Sequence, residues 1–235
     1  MEESYTLYKR VTEQYKDEQI LKTIGQLLPN EILDLEKPVD SLLEWYKNDF
    51  MAWVPKEIKC GRCCTTGSYP KSSMETQVYP GTSWRLRKTE VYSCPNCHFE
   101  RRFPRYGEVL KIADSREGRC SEWSILFGAM LSSLSMKARI VHDYLDHCWN
   151  EVMLNGRWTH VDSTLQFPFS LDNPKYYELN WGKKYLYILA FTSDSVEDVT
   201  RVYSYEWEKV LQRRKHAQNV HVKNIEGLNK IYQVI

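Results

Sequence analysis

The dipeptide Asn155-Gly156 constrains the fold more strongly than any other short stretch of this chain. It separates two runs in which apolar and polar residues alternate. Asn-Gly is the preferred sequence of a two-residue type I′ turn, which joins neighbouring antiparallel strands. With these two residues as the loop, Leu154 pairs with Arg157 and the register of the remaining pairs follows. The sequence therefore predicts a β-hairpin of defined register.

The predicted register places a histidine beside an aspartate. Asp162 pairs with Trp149, and His147 lies two residues before Trp149 on the same face of the hairpin. Diagonal neighbours of this kind are about 7 Å apart between backbones, a gap that an imidazole and a carboxylate can close. Parity alone gives half of all such pairs a common face, so a third group is needed to indicate catalysis.

That third group is Cys120, which follows Gly118 and precedes a run of apolar residues with helical periodicity. The spacing predicts that Cys120 lies at a helix N-terminus, where the helix dipole and free N–H groups favour a thiolate. A lone cysteine is more often a structural residue of the core. Its place at a helix start, with a histidine nearby in the predicted fold, favours a nucleophile.

Four of the seven cysteines form two CxxC pairs, Cys60 with Cys63 and Cys94 with Cys97. Two such turns supply four soft thiolate ligands in a tetrahedron, the coordination that Zn²⁺ prefers. No coordination position stays open, so we expect one structural Zn²⁺ per chain. The alternative is four free or disulfide-bonded cysteines. The segment between the pairs is polar, so metal binding would supply most of its folding free energy.

Composition argues against several classes of function. The formal net charge is +1 over 235 residues, so nothing indicates binding to nucleic acid or to an anionic membrane. The N-terminal sequence has no apolar segment typical of a signal peptide, and no apolar run approaches the ~18 residues that span a bilayer. Together with cysteines arranged for a metal, these features predict a protein of the cytoplasm, and also of the nucleus.

Changes in sequence character divide the chain into four predicted parts and predict an α+β fold. The parts are N-terminal helices (1–54), a zinc-binding subdomain (55–104), a core of helices and strands (105–195) and a helical C-terminal tail that packs on the core or a partner (196–235). Inside the core we predict helices over 108–135 with a break at Glu117-Gly118, strands over 138–163, a loop over 164–183 and a strand over Tyr185–Thr192.

Four motifs resemble those of the cytosolic peptide:N-glycanases, which belong to the transglutaminase-like superfamily. The motifs are FPRY, GRCSEW, DHCWNE and RWTHVD, and they follow two CxxC pairs as they do in that family. The resemblance covers about residues 45–192. It implies a transglutaminase-like (papain-type) core with an inserted zinc-binding CxxC/CxxC subdomain. It also implies an amidase that acts on glycosylated asparagine in misfolded N-glycoproteins and releases the glycan as a glycosylamine.

The resemblance assigns roles to individual residues. Cys120 is the expected nucleophile, His147 the acid and base, and Asp162 the group that orients the imidazole. Trp158 and Trp181 match aromatic residues of the family that lie beside the first sugars.

The chain departs from the family pattern at two positions. Ser121 follows the nucleophile where the family usually has glycine. Leu165 stands where the family usually has a glutamate that contacts sugar, and an apolar side chain cannot accept a hydrogen bond from a sugar hydroxyl. We therefore expect weaker binding of the first sugars by a chain whose triad is complete.

Two other functions fit parts of the same sequence. One is a transglutaminase-like thiol protease or crosslinking enzyme; the other is a zinc-stabilised adaptor without enzymatic activity in protein degradation. The expected partners of an amidase are denatured N-glycoproteins. The flanking helices, 5–28 and 200–235, are further candidates for binding a proteasome-shuttle ubiquitin receptor, as short fungal members of the family are thought to do, although amphipathic helices more often pack on their own core.

Overall fold

The computed structural model describes residues 2–54, 57–68, 71–75 and 88–216. Within these ranges the chain has the predicted α+β fold. The N-terminal region is helical, and a π-helical turn at Tyr46–Phe50 extends its last helix. The four helices are α1 (Glu2–Gln14), α2 (Glu18–Gly25), α3 (Asn30–Leu33) and α4 (Val39–Trp45).

These helices are stabilised because their apolar faces are buried against the core. Asp17 begins α2 by accepting hydrogen bonds from the backbone N–H groups of Gln19 and Ile20, both at 3.0 Å. This cap satisfies donors that the first turn of a helix leaves free. Tyr8 of α1 and Ile24 of α2 are buried in the largest hydrophobic cluster. The N-terminal helices are therefore part of the same folded unit as the core.

Short strands form the region of the two CxxC pairs. One strand from this region pairs in parallel with β7 (Glu117–Gly118) of the core, two form an antiparallel hairpin, and the last three form an antiparallel sheet. In chain order they are β1 (Ala52–Trp53), β2 (Glu57–Lys59), β3 (Thr66–Ser68), β4 (Lys71–Glu75), β5 (Lys88–Ser93) and β6 (Glu100–Arg105).

The core is a five-stranded antiparallel sheet with helices on both faces. Its order is β10-β9-β8-β11-β12. The strands are β8 (Ala138–His142), β9 (Cys148–Leu154), β10 (Arg157–Val161), β11 (Leu189–Phe191) and β12 (Val196–Asp198). The remaining helices are α5 (Val109–Ser115), α6 (Cys120–Ser133), α7 (Tyr176–Trp181), α8 (Thr200–Tyr203) and α9 (Trp207–His216).

The two faces of the sheet belong to two hydrophobic clusters. One cluster joins β8 and β9 to α6 and the N-terminal helices. Because α6 is apolar on nearly all sides and buried from Ser121 to Leu131, it is the central helix. The other cluster joins the opposite face to α7, α8 and α9 through Trp149, Tyr177 and Tyr203.

The hairpin has the predicted register, with Leu154 opposite Arg157 and Glu151 opposite His160. Asn155 and Gly156 have φ of +50° and +78°, the positive values that a type I′ turn requires. This prediction from the Asn-Gly turn is confirmed. Because a slip of one residue would move every side chain to the other face, the turn decides which residues reach the core.

Three segments differ from the sequence-based expectation. Only Leu189–Phe191 of the predicted strand Tyr185–Thr192 is paired, because Tyr185 and Ile188 are buried by packing without a strand partner. The predicted loop 164–183 contains α7. The tail begins with β12 before turning helical, and its residues 217–235 lie outside the described part of the chain. Among the described helices, none combines the length and the apolar character needed to cross a membrane.

Candidate active site

The N-terminus of α6 is fixed by a hydrogen bond to Glu122 and by a buried ion pair. The Glu122 carboxylate accepts a hydrogen bond from the backbone N–H of Arg119 at 3.0 Å. The Arg105 guanidinium, from β6, donates to Glu122 at 2.7 Å and to the Ser121 hydroxyl at 2.7 Å. These contacts hold the first turn rigidly, and Cys120 is its first residue.

The structure brings Cys120, His147 and Asp162 together in a buried cluster. His147 Nε2 lies 2.7 Å from Asp162 Oδ2, and both side chains are inaccessible or nearly so. The same imidazole interacts with the Cys120 sulfur and lowers the pKa of that thiol; since Nε2 faces Asp162, Nδ1 is the ring nitrogen that remains for the sulfur. The sulfur also lies 3.6 Å from the carbonyl oxygen of Asp146. An imidazole between a thiol and a carboxylate is the arrangement of a cysteine nucleophile with its base.

Asp162 is held as a carboxylate by its neighbours. Its Oδ1 accepts hydrogen bonds from the Thr164 N–H at 2.9 Å and the Thr164 hydroxyl at 2.7 Å, and its Oδ2 accepts one from the Tyr177 hydroxyl at 2.7 Å. Burial acts to raise the pKa of Asp162, but the charge of His147, its hydrogen bond to the carboxylate and the hydrogen bond from Thr164 lower that pKa to about 2. The group is therefore ionised wherever the imidazole titrates.

The charges in the cluster favour a thiolate beside an imidazolium. A hydrogen bond from the Cys148 thiol and the contact with His147 lower the pKa of Cys120 to about 4, against the opposite effect of burial. Burial acts to lower the pKa of His147, but Asp162 and the Cys120 sulfur raise it to about 10. Between these values the nucleophile is charged and the imidazole holds a proton that it can donate.

Cys148 lies beside the nucleophile, and the hydrogen bond of its thiol is the first cause of the lowered pKa of Cys120. Because β9 begins at Cys148, His147 belongs to the preceding loop and strand alternation does not relate the two residues. Cys148 is buried in the cluster that covers α6, and its sulfur lies 3.0 Å from the Tyr8 hydroxyl. The Tyr8 O–H can donate to this sulfur, which leaves the Cys148 S–H for Cys120.

Tyr177 and His160 extend the chain of hydrogen bonds and are missing from the sequence-based site. His160 Nε2 lies 2.6 Å from the Tyr177 hydroxyl, which itself donates to Asp162. Burial lowers the pKa of His160 to about 4, so this imidazole is neutral and donates through Nε2. No sequence signal identifies Tyr177, because α7 is only six residues long and shows no periodicity.

Trp181 lies beside the cluster of Cys120, His147 and Asp162. Its ring centroid is 5.1 Å from that of His147, and its side chain is 44% exposed. An exposed indole against the catalytic imidazole presents an apolar face to whatever occupies the site. The contact of Trp181 with substrate stays a prediction.

Trp158 and Leu165 both pack against other side chains of the protein. The Trp158 ring packs under the Arg139 guanidinium, 4.2 Å from its central carbon, and lies four residues before Asp162 on a strand that rises about 3.3 Å per residue. Its substrate contact stays a prediction. Leu165, at the position where the family usually has a sugar-contacting glutamate, is only 9% exposed. Its side chain packs with Trp149 and Tyr177 and therefore faces the core.

The four cysteines of the CxxC pairs converge on one point. Their sulfur atoms all lie within 4.8 Å of one another. Four thiolates at about 2.3 Å from a tetrahedral Zn²⁺ would be about 3.8 Å apart, and the closest pairs here, Cys60 with Cys97 and Cys63 with Cys94, are at 3.5 and 3.7 Å. Two backbone N–H groups point at Cys60 Sγ, those of Arg62 and Cys63. The donor set and its spacing fit a metal ion.

Comparison with known proteins shows which family this chain resembles. A family model described as the transglutaminase-like superfamily matches residues 75–163, which include the three residues of the cluster. A relative from Caenorhabditis elegans, named peptide-N(4)-(N-acetyl-beta-glucosaminyl)asparagine amidase, is 34% identical over 97% of this chain and 39% of its own length.

Relatives with the same name occur in distant organisms. The protein from Macaca fascicularis is 38% identical over 82% of this chain and 29% of its own length. The protein from Eremothecium gossypii is 36% identical over 72% of this chain and 47% of its own length. The chain thus spans less than half the length of these relatives. It belongs to the transglutaminase-like superfamily and is related within it to the peptide-N(4)-(N-acetyl-beta-glucosaminyl)asparagine amidases.

Proposed function

We propose that this chain is a peptide:N-glycanase, which hydrolyses the side-chain amide between an asparagine and its glycan. The observation that carries the proposal is the buried series of contacts from Cys120 through His147 to Asp162, which begins at the start of a helix. Thiolate, imidazolium and carboxylate are the groups that amide hydrolysis through a thioester requires. The relatives named as amidases support the substrate class.

In the first half of the reaction the Cys120 thiolate attacks the carbonyl carbon of the asparagine side chain. The carbonyl oxygen becomes an oxyanion, and the backbone N–H of Cys120, in the first turn of α6, has no acceptor within the helix and can donate to it. His147 gives its proton to the glycosylamine nitrogen as the carbon–nitrogen bond breaks. A thioester on Cys120 and a free glycosylamine result.

In the second half water replaces the glycosylamine. The neutral His147 takes a proton from water, which attacks the thioester carbonyl and displaces the Cys120 sulfur. Aspartic acid and the regenerated thiolate–imidazolium pair are the products, so one amide and one water are converted to one carboxylic acid and one amine. The acid then releases its proton to solvent. Asp162 keeps the imidazole oriented and stabilises its positive form in both halves.

The substrates under this proposal are denatured N-glycoproteins. The proposed location is the cytoplasm and nucleus. A ubiquitin-receptor partner for the flanking helices stays a prediction. Tyr8, Val11 and Tyr15 of the N-terminal region face the core, so the residues that could meet a partner there are the polar ones.

The metal in this proposal is one Zn²⁺, held by Cys60, Cys63, Cys94 and Cys97. Four thiolates leave no position for substrate or water, so the ion would stabilise the subdomain and take no part in hydrolysis. The Arg105 contacts to Glu122 and Ser121 connect this subdomain to the helix of the nucleophile.

A glycopeptide assay in water enriched in heavy oxygen tests the proposed reaction. Mass spectrometry should show asparagine converted to aspartate, one heavy oxygen in the new carboxylate and the glycan released whole. Cleavage of the peptide backbone would indicate the protease alternative, and an isopeptide product with added amine would indicate the crosslinking alternative. Binding of glycoprotein without turnover would indicate the adaptor alternative.

A further inference from the structure

Asp143 organises the loop that carries the catalytic histidine. One oxygen of this buried carboxylate, Oδ1, accepts hydrogen bonds from the backbone N–H groups of Leu145, Asp146 and His147 at 3.1, 3.0 and 2.8 Å. Tyr144, within this loop, has φ of +28°, a region that residues other than glycine rarely occupy. Such a conformation persists only when surrounding contacts determine it, and the Asp143 carboxylate supplies those contacts.

This loop meets the nucleophile at two places. The Asp146 carbonyl oxygen lies 3.6 Å from Cys120 Sγ, and the next residue supplies the imidazole. Both groups are attached to backbone atoms that Asp143 Oδ1 fixes. The position of the His147 imidazole relative to the Cys120 sulfur therefore depends on the Asp143 carboxylate, which binds the backbone of the loop and contacts neither the imidazole nor the sulfur.

The second oxygen of Asp143 is bound by Lys183, which lies two residues after the end of α7. Lys183 Nζ lies 2.9 Å from Asp143 Oδ2 and also pairs with the Asp146 carboxylate. The Lys183 side chain is 11% exposed and that of Asp143 is 1% exposed. Lys183 directly follows Gly182, whose φ of +63° ends α7 immediately after Trp181.

We propose that Asp143 and Lys183 act as a clamp that positions His147 and Trp181 relative to each other. This inference rests on the proposed function for its consequence in catalysis, and on the geometry alone for its consequence at Cys120. Asp143 sets the loop of the base, Lys183 sets the end of α7, and the ion pair joins them. The two are positioning residues, since neither touches substrate.

The charges of the clamp decide how its variants behave. Lys183→Met leaves a buried carboxylate with its cation removed, which is more damaging than removal of the whole pair. Asp143→Asn keeps an oxygen for the loop amides but removes the charge that holds Lys183. The double variant Asp143→Asn with Lys183→Met leaves no buried charge of the clamp unpaired, since the Asp146 carboxylate that also loses Lys183 is 76% exposed. It should therefore fold at least as well as Lys183→Met alone.

Alkylation of Cys120 by iodoacetamide tests the clamp without any glycosylated substrate. At about pH 5 an ordinary thiol, with a pKa near 8.5, is almost wholly protonated, so reaction there reports the thiolate that His147 stabilises. Peptide mass spectrometry resolves Cys120 from the other cysteines. Misplacement of a base by about 1 Å can cost a factor of about 100, so we expect each single variant to react about 10 to 100 times more slowly.

Arg157→Gln is the matched control. It breaks the ion pair between Arg157, on β10, and Asp172, and both side chains of that pair are largely exposed, at 61% and 45%. It should alkylate at the wild-type rate. Folded single variants that also react at the wild-type rate would overturn the clamp. If the single variants do not fold, a wild-type rate in the double variant would overturn it, and a slowed rate would support it.

A second readout separates this inference from the proposed function. In a glycopeptide assay, loss of the clamp should lower kcat through His147 and raise KM through Trp181, whereas a variant that is merely less stable should change neither in its folded fraction. Fast alkylation at about pH 5 by a wild-type protein that never cleaves glycopeptide would reject the proposed function and leave the clamp standing.

Discussion

At the scale of single residues, the site depends on the charge state of two side chains. The Cys120 thiol ionises far below the range of an ordinary thiol, and His147 keeps its proton far above the range of an ordinary imidazole. Asp162, ionised and fully buried, stabilises the second of these shifts. The pair is thus ready for nucleophilic attack before substrate arrives.

The first prediction concerns the pH dependence of Cys120. A thiol reacts as the thiolate, so a lowered pKa extends its reactivity towards lower pH, and His147 remains an imidazolium as pH rises until its own raised pKa is reached. Alkylation of Cys120 should therefore rise through about pH 4 and then stay level to about pH 10. A rate that instead rises through about pH 8.5, as for a free thiol, would contradict the ion pair.

The second prediction concerns Cys148, whose thiol hydrogen bond is the largest cause of the low pKa of Cys120. Cys148→Ala removes this donor, so the pH at which Cys120 alkylation is half-maximal should rise. Cys148→Ser keeps a hydroxyl donor and should keep the midpoint close to that of the wild type, as should Cys64→Ala at an exposed thiol. The same midpoint in Cys148→Ala and in the wild type would show that the contact has no effect on ionisation.

At the scale of helices and strands, the first turn of α6 is where the region of the two CxxC pairs meets the core. The Arg105 guanidinium lies between Glu122 of α6, at 2.7 Å, and Glu90 of β5, at 2.8 Å. Both carboxylates are buried, with 1% and 6% of their side chains exposed. One guanidinium thus contacts two buried carboxylates and fixes the start of the helix; Glu90 also pairs with Arg119 at 3.0 Å, so Arg105 is the cation that Glu122 depends on.

The third prediction follows from that arrangement. Arg105→Met should lower the free energy of unfolding by about 3–5 kcal/mol, because removing one partner leaves a buried charge uncompensated. Urea denaturation measures this change. Arg157→Gln, at the exposed pair with Asp172, should leave the free energy of unfolding almost unchanged. A loss below about 1 kcal/mol for Arg105→Met would show that water or another cation replaces the guanidinium.

The sequence allowed prediction of the elements that carry the triad, because their signals are local. The Asn155-Gly156 turn determines its own backbone conformation, and the register follows by counting. The sequence did not allow prediction of α7 or of the contact between Cys148 and Cys120. A six-residue helix gives too little periodicity, and where a strand begins depends on tertiary contacts such as those of Asp143 with the loop before β9.

At the scale of the whole molecule, the CxxC region, the core and the N-terminal helices form one folded unit through buried contacts. The cysteine spacing predicted that four thiols meet, since each pair lies in its own tight turn, and the structure brings them within reach of one ion. The partners of Arg105 on α6 could not be predicted in the same way, because their separation in sequence carries no pattern.

The fourth prediction concerns the metal. Purified protein should contain one zinc ion per chain, and a chelator should remove it and lower the melting temperature, because four thiolates without a metal no longer stabilise the subdomain. Cys97→Ala should lose the ion, and Cys64→Ala should retain it. Metal-free protein that stays fully folded yet inactive would contradict a structural role.

The central claim is that Cys120 is the nucleophile of an amidase, and its most direct test is conversion of a glycosylated asparagine to aspartate by the wild type, Cys120→Ala and Cys64→Ala. The wild type and Cys64→Ala should release glycan at equal rates. Cys120→Ala should be slower by at least about a thousandfold while keeping the wild-type melting temperature, since residues of a triad act as a unit. A wild-type rate of release by folded Cys120→Ala would contradict the assignment of the nucleophile and, with it, the proposed mechanism.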